Sequence, residues 1–137
     1  MDSPLHSPGG DGAFRVLVAD DEDDIRALVC LAVRKAGCDV VAAVPDGALA
    51  LTTARSVLPD LAVLDVSMPG ATGLEICAAL RAEPDTAGIR ILLLSAGASL
   101  DEVARGLSAG ADAYLAKPFT VAGLVHQVKS LTVGVPA

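Results

Sequence analysis

The sequence predicts an α/β fold in which five βα units build a parallel five-stranded sheet, doubly wound with helices on both faces. Three observations carry that prediction. Short apolar runs alternate with longer segments whose apolar residues recur at helical spacing. Gly and Pro punctuate the joints between them. The 137 residues are 53% hydrophobic and 20% charged, the composition of one globular domain able to bury its own core.

Phe14–Ala19 reads as a buried strand. From Glu22 the period changes, and Ile25, Leu28, Val29, Ala32 and Val33 line one face of a helix that ends at a basic turn and Gly37. Val40–Val44 is the second strand, and Pro45-Asp46-Gly47 turns the chain into a helix over Ala48 to Val57. Pro59 closes that unit before a third strand, Leu61–Leu64. A loop of turn formers, Met68 to Gly73, leads to a helix from Leu74 to Ala82, stopped near Pro84. Ile89–Leu94 is the most apolar segment and the best candidate for a central strand buried on both faces. Leu100–Ser108 is helical and closed by Gly110, and Ala113–Ala116 is a short fifth strand. Val121, Leu124, Val125, Val128 and Leu131 form the inner stripe of the last helix. The domain is expected over 13–132, with a disordered Ser/Pro/Gly-rich tail over 1–12 and a short tail over 133–137. With no further segment in view, the expectation is a stand-alone domain.

The net charge of −7 argues against nucleic acid as a partner, because phosphate binding needs clustered Lys and Arg. It argues equally against a polybasic membrane contact, and no apolar run is long enough to cross a bilayer. The amino terminus lacks the basic and apolar regions of a signal peptide. Cys30, Cys38 and Cys77 have neither disulfide-framework nor metal-ligand spacing and are read as reduced packing residues of a cytoplasmic protein. His126 is read as a surface helix residue.

Ligands of open parallel sheets bind outside the carboxyl ends of the strands. The first strand is followed there by Asp20-Asp21, the third ends in Asp65, the fourth in Ser95-Ala96, and the fifth is followed by Lys117-Pro118. Asp21 alone reads equally well as a helix N-cap, and Lys117 alone as a solvated lysine. If the first and third strands are neighbours, however, Asp20, Asp21 and Asp65 meet, and their repulsion calls for a hard cation. Mg²⁺, with Mn²⁺ as a substitute, suits few carboxylates, several waters and phosphate oxygens. Mg²⁺ and Lys117 together would neutralise the three carboxylates. Asp65 is then a natural nucleophile for an acyl phosphate, with Lys117 and the Ser95 hydroxyl on the phosphoryl oxygens and small Ala96 leaving room beside them.

These residues resemble the receiver domain of two-component response regulators. The resemblance rests on Asp20-Asp21-Glu22, on Asp65 with Met68-Pro69 and Gly73, on Ser95-Ala96, and on Lys117-Pro118-Phe119. It covers about Phe14 to Leu131 and implies a CheY-like, flavodoxin-like sheet of strand order 2-1-3-4-5. It also implies that Asp65 takes a phosphoryl group from a sensor histidine kinase or histidine phosphotransfer protein. Mg²⁺ would be held by Asp20, Asp21, Asp65 and the backbone carbonyl of Ser67. Ser95 and Tyr114 would form the switch, Tyr114 turning inward when phosphate arrives; the alternative is a half-buried tyrosine with its hydroxyl in water. The face of helix 100–108, strand 113–116 and helix 121–131 would meet a downstream protein, as a monomer or a phosphorylation-promoted homodimer. The implied role is a signalling switch and not an enzyme. The rivals are a small phosphatase using Asp65, a nucleotide- or flavin-binding module, and a non-phosphorylated scaffold receiver.

Overall fold

A computed structural model describes residues 13–97 and 99–133. The tail expected over 1–12 and residues 134–137 lie outside them. The elements run β1 (Arg15–Ala19), α1 (Asp23–Lys35), β2 (Asp39–Val44), α2 (Gly47–Val57), β3 (Leu61–Asp65), α3 (Gly73–Ala82), β4 (Arg90–Ser95), α4 (Leu100–Ser108), β5 (Ala113–Ala116) and α5 (Val121–Val133). Every expected element is present, with ends moved by a residue or two. The last helix continues through Val133, which the sequence places in the tail.

All strand pairs are parallel, in the order β2-β1-β3-β4-β5. The strands' period of two sorts the core into two layers. Val16, Val18, Val63, Leu92 and Leu94 face α1 and α5, where they meet Val29, Val33, Leu124 and Val128. Leu17, Ala19, Leu64, Ile91 and Leu93 face the other way, toward Ala50, Ala54, Ile76, Cys77 and Leu80 of α2 and α3. The Ile89–Leu94 run does form an inner strand, but β3 holds the centre of the sheet, with all five residues buried. Edge strands β2 and β5 are only partly buried, consistent with their alanine content.

The helices start where the sequence supplies caps. Asp46 accepts the Leu49 N–H, and Thr72–Glu75 and Ser99–Glu102 each close a reciprocal capping box. Gly73 is required by close approach, since a Cβ there would lie 2.7 Å from the Asp65 carbonyl oxygen. α3 therefore begins directly against the end of β3 and fixes the loop that follows Asp65. Cys30, Cys38 and Cys77 are all free and buried, and burial pushes each thiol up, Cys77 to about 11. They are packing residues, as expected. His126 is exposed on α5. No helix among the described residues is long and apolar enough to cross a membrane.

Candidate functional site

Parallel register brings the strand ends together. Ala19 pairs with Leu64, Asp65 with Leu94, and Ser95 with Ala116. Asp20 therefore emerges beside Asp65, and Lys117 beside Ser95, whose carbonyl accepts the Lys117 backbone N–H at 2.7 Å. The condition the sequence left open, that the first and third strands be neighbours, is met.

Asp20 and Asp65 are buried, Asp21 is exposed, and one carboxylate oxygen from each lies within 4.8 Å of the other two. Lys117 reaches into this group, with Nζ 3.1 Å from Asp20 Oδ2, 3.2 Å from Glu22 Oε1 and 3.5 Å from Asp65 Oδ1. Asp20 Oδ1 accepts the Glu22 backbone N–H at 2.9 Å. Asp20 Oδ2 is buried without a hydrogen bond, so the lysine contact at 3.1 Å is one of charge rather than of an aligned donor. A buried carboxylate oxygen without a donor is costly unless a cation meets it. The donor set, three carboxylates with one orphaned oxygen, fits a hard divalent ion.

The electrostatics agree. Burial, reinforced by the charge of Asp20, pushes the Asp65 carboxyl up to about 6, and Lys117 and the Ser67 N–H only partly offset this. For Lys117, burial opposes the charge, but the contact with Asp20 and the fields of Asp65 and Asp20 outweigh it and hold the ammonium above its ordinary value. The lysine stays a cation, and Asp65 is the carboxylate under strain.

Around this centre, the Ser67 N–H approaches Asp65 Oδ1 at 3.4 Å, at the outer limit of a hydrogen bond. Ser95 is buried, and its hydroxyl accepts the Gly97 N–H at 3.2 Å. The Gly97 carbonyl in turn accepts the Tyr114 hydroxyl at 3.1 Å. Tyr114 is thus tied to the β4–α4 loop rather than leaving its hydroxyl in water. A small cavity of about 80 Å³, lined by Val66, Leu74, Glu102, Arg105 and Tyr114, lies on this face. Ala96 is exposed beside Ser95. The structure brings Asp20, Asp21, Asp65, Ser95 and Lys117 to one sheet edge.

Two participants were given no role by the sequence, Gly97 and the Glu22 of the Asp20-Asp21-Glu22 motif. Gly97 links Ser95 to Tyr114 through its own peptide groups, for which no side-chain signal exists. Glu22 adds a fourth carboxylate, so one divalent ion and Lys117 leave the cluster with one net negative charge. Its signal was available, since Glu is a poor N-cap residue yet occupies the N-cap of α1 without capping it.

Comparison with known proteins identifies the family of this fold. Residues 16–129 match the family model of the response regulator receiver domain. The chain belongs to that family. It is 44% identical over 131 residues to the transcriptional regulatory protein PrrA of Mycobacterium tuberculosis, covering 96% of this chain and 52% of that protein. It is 38% identical over 116 residues to the DNA-binding response regulator MtrA of Mycolicibacterium smegmatis, covering 85% of this chain and 49% of that one. Among solved structures, the signal receiver domain of the response regulator NarL from M. tuberculosis matches with a TM-score of 0.83 and 35% identity, covering 90% of this chain and 98% of that one. The chemotaxis response regulator CheY4 of Vibrio cholerae matches at 0.80 and 32%, covering 87% and 98%. The receiver therefore has the CheY-like fold and the role of a phosphoacceptor switch in a two-component system. The chain spans about half the length of the curated relatives it matches. The expectation of a stand-alone receiver finds no support in them. The expectation of no nucleic-acid partner rests on this chain's own charge, whereas MtrA is by name a DNA-binding protein.

Proposed function

We propose that Asp65 is the phosphoacceptor. A carboxylate oxygen of Asp65 attacks the phosphorus of a phosphohistidine on a sensor histidine kinase or phosphotransfer protein. The new O–P bond forms as the donor P–N bond breaks, and the electron pair leaves with the imidazole, which takes up a proton. Asp20, Asp21, Asp65 and the Ser67 carbonyl would hold Mg²⁺ or Mn²⁺. When bound, that ion would neutralise the carboxylates and the phosphoryl oxygens. Lys117 would pair with one phosphoryl oxygen and the Ser95 hydroxyl would donate to another, with Ala96 leaving space beside them. Because Ser95 also accepts the Gly97 N–H, its turn toward phosphate would release Gly97 and, through it, Tyr114. The α4–β5–α5 face would then shift population toward a partner-binding shape, in a monomer or a phosphorylation-promoted homodimer. We read the domain, spanning 13–132, as a cytoplasmic switch without enzymatic turnover of its own beyond self-phosphorylation and slow loss of phosphate.

The observation that carries this reading is the convergence of Asp20, Asp21 and Asp65 beside Lys117, with Asp20 Oδ2 buried and without a hydrogen bond. The test is intact mass after incubation with acetyl phosphate and Mg²⁺. One phosphoryl adduct is expected on the native chain, and none on Asp65→Asn or without a divalent ion. A native chain that stays unlabelled with both acetyl phosphate and phosphoramidate would overturn the reading.

A further inference from the structure

Glu22 stands where a helix usually takes Ser, Thr, Asp or Asn, whose short side chains bond back to the first N–H groups. Its own side chain makes no such bond. It extends away from α1, and Oε1 accepts a hydrogen bond from Lys117 Nζ at 3.2 Å, across 95 positions of sequence. The same ammonium lies 3.1 Å from Asp20 and 3.5 Å from Asp65, so Glu22 is one of three acids that share it. The Glu22 side chain is 62% exposed and that of Lys117 only 14%. A solvent-facing carboxylate thus holds a donor of a mostly buried cation.

We infer that Glu22 is a positioning residue that competes with the phosphoryl group for the Lys117 ammonium and slows phosphorylation of Asp65. This rests on Asp65 as phosphoacceptor. A phosphoryl group on Asp65 competes with Glu22 for the Lys117 donors, which already reach Asp65 Oδ1 at 3.5 Å, and any weakening of the Glu22 bond falls on the transferring state but not on the resting one. The Glu22 charge also opposes an incoming anionic donor, so charge and geometry must be separated experimentally. Asp at position 22 separates them, because it keeps the charge but is one methylene too short to bridge, and it is the better N-cap.

The experiment measures the initial rate of adduct formation on the full chain with acetyl phosphate and Mg²⁺, for native, Glu22→Gln and Glu22→Asp. An exposed pair of this kind predicts that both variants label about two- to five-fold faster than native. The Lys117 ammonium resonance in metal-free protein should move in both variants, which a purely structural role at the helix start would not produce. Equal rates in all three proteins, or acceleration in Glu22→Gln alone, would overturn the bridge while leaving Asp65 as phosphoacceptor. A native chain that takes no label would overturn the phosphoacceptor reading, and this inference with it.

Discussion

At the amino edge of the sheet, Arg81 of α3 donates to the carbonyls of Gly110, Ala87 and Ile89 and pairs with Asp112 at 2.9 Å. Asp112 also accepts the Ile91 N–H, and Asp60 the Arg15 N–H, while the Arg15 guanidinium donates to Val57 and Leu58. At the carboxyl edge, Asp20 and Asp65 are buried against each other, one oxygen has no donor, and a single lysine is shared among three acids. Both edges are charged, and the difference is satisfaction. Charges that meet their backbone partners hold elements together. Charges left over after folding are a site awaiting a ligand, held at a cost in stability.

Substitutions should separate the two edges. The largest contrast is between Asp65→Asn and Arg81→Ala. Arg81→Ala removes the donor to the part-buried carbonyls of Gly110 and Ile89 and is expected to cost about 2 kcal/mol in urea unfolding while leaving adduct formation measurable. Asp65→Asn is expected to abolish the adduct without loss of stability. Next is Lys117→Gln, which removes the donor to the transferring oxygens. Labelling should fall about a hundredfold, and the metal-free protein should lose stability because Asp20 Oδ2 is left without its cation. Smaller still is the effect of pH. The Asp65 carboxyl is raised from an ordinary 3.8 to about 6, so the folded chain binds its proton more tightly than the unfolded one between those values. Its contribution is fully favourable below the lower value and is lost as pH rises through about 6. Stability of native relative to Asp65→Asn, without divalent ion, should therefore decline from pH 4 to 7 and then level. Mg²⁺ affinity should rise over the same window. The smallest expected effect is Ser99→Ala, about 1 kcal/mol from the capping box of α4.

The satisfied edge and the strained one differ also in how far the sequence exposes them. The βα alternation fixes which strand ends share an edge, so Asp20, Asp65, Ser95 and Lys117 could be listed from pattern alone. Apolarity marked Ile89–Leu94 as the most buried strand but could not rank it against Leu61–Leu64, because position in the sheet depends on pairing. Glu22 was legible as part of the Asp20-Asp21-Glu22 motif, but its contact with Lys117 was not, because a long, exposed acid also describes a solvated side chain. The Gly97 link was hidden because backbone hydrogen bonds carry no residue signature. The expectation that Tyr114 turns inward when phosphate arrives did not include its bond to Gly97, since a rotamer is decided by neighbours distant in sequence.

Thermal unfolding at pH 7, with and without saturating Mg²⁺, addresses the central claim most directly: the carboxyl edge holds unsatisfied charge for a cation. Metal-free Asp65→Asn should melt above the native chain, and Mg²⁺ should raise the native midpoint by several degrees and the variant's by much less. A metal-free Asp65→Asn that melts below native, with equal Mg²⁺ shifts in both, would mean that the acids are already satisfied and that the claim is wrong.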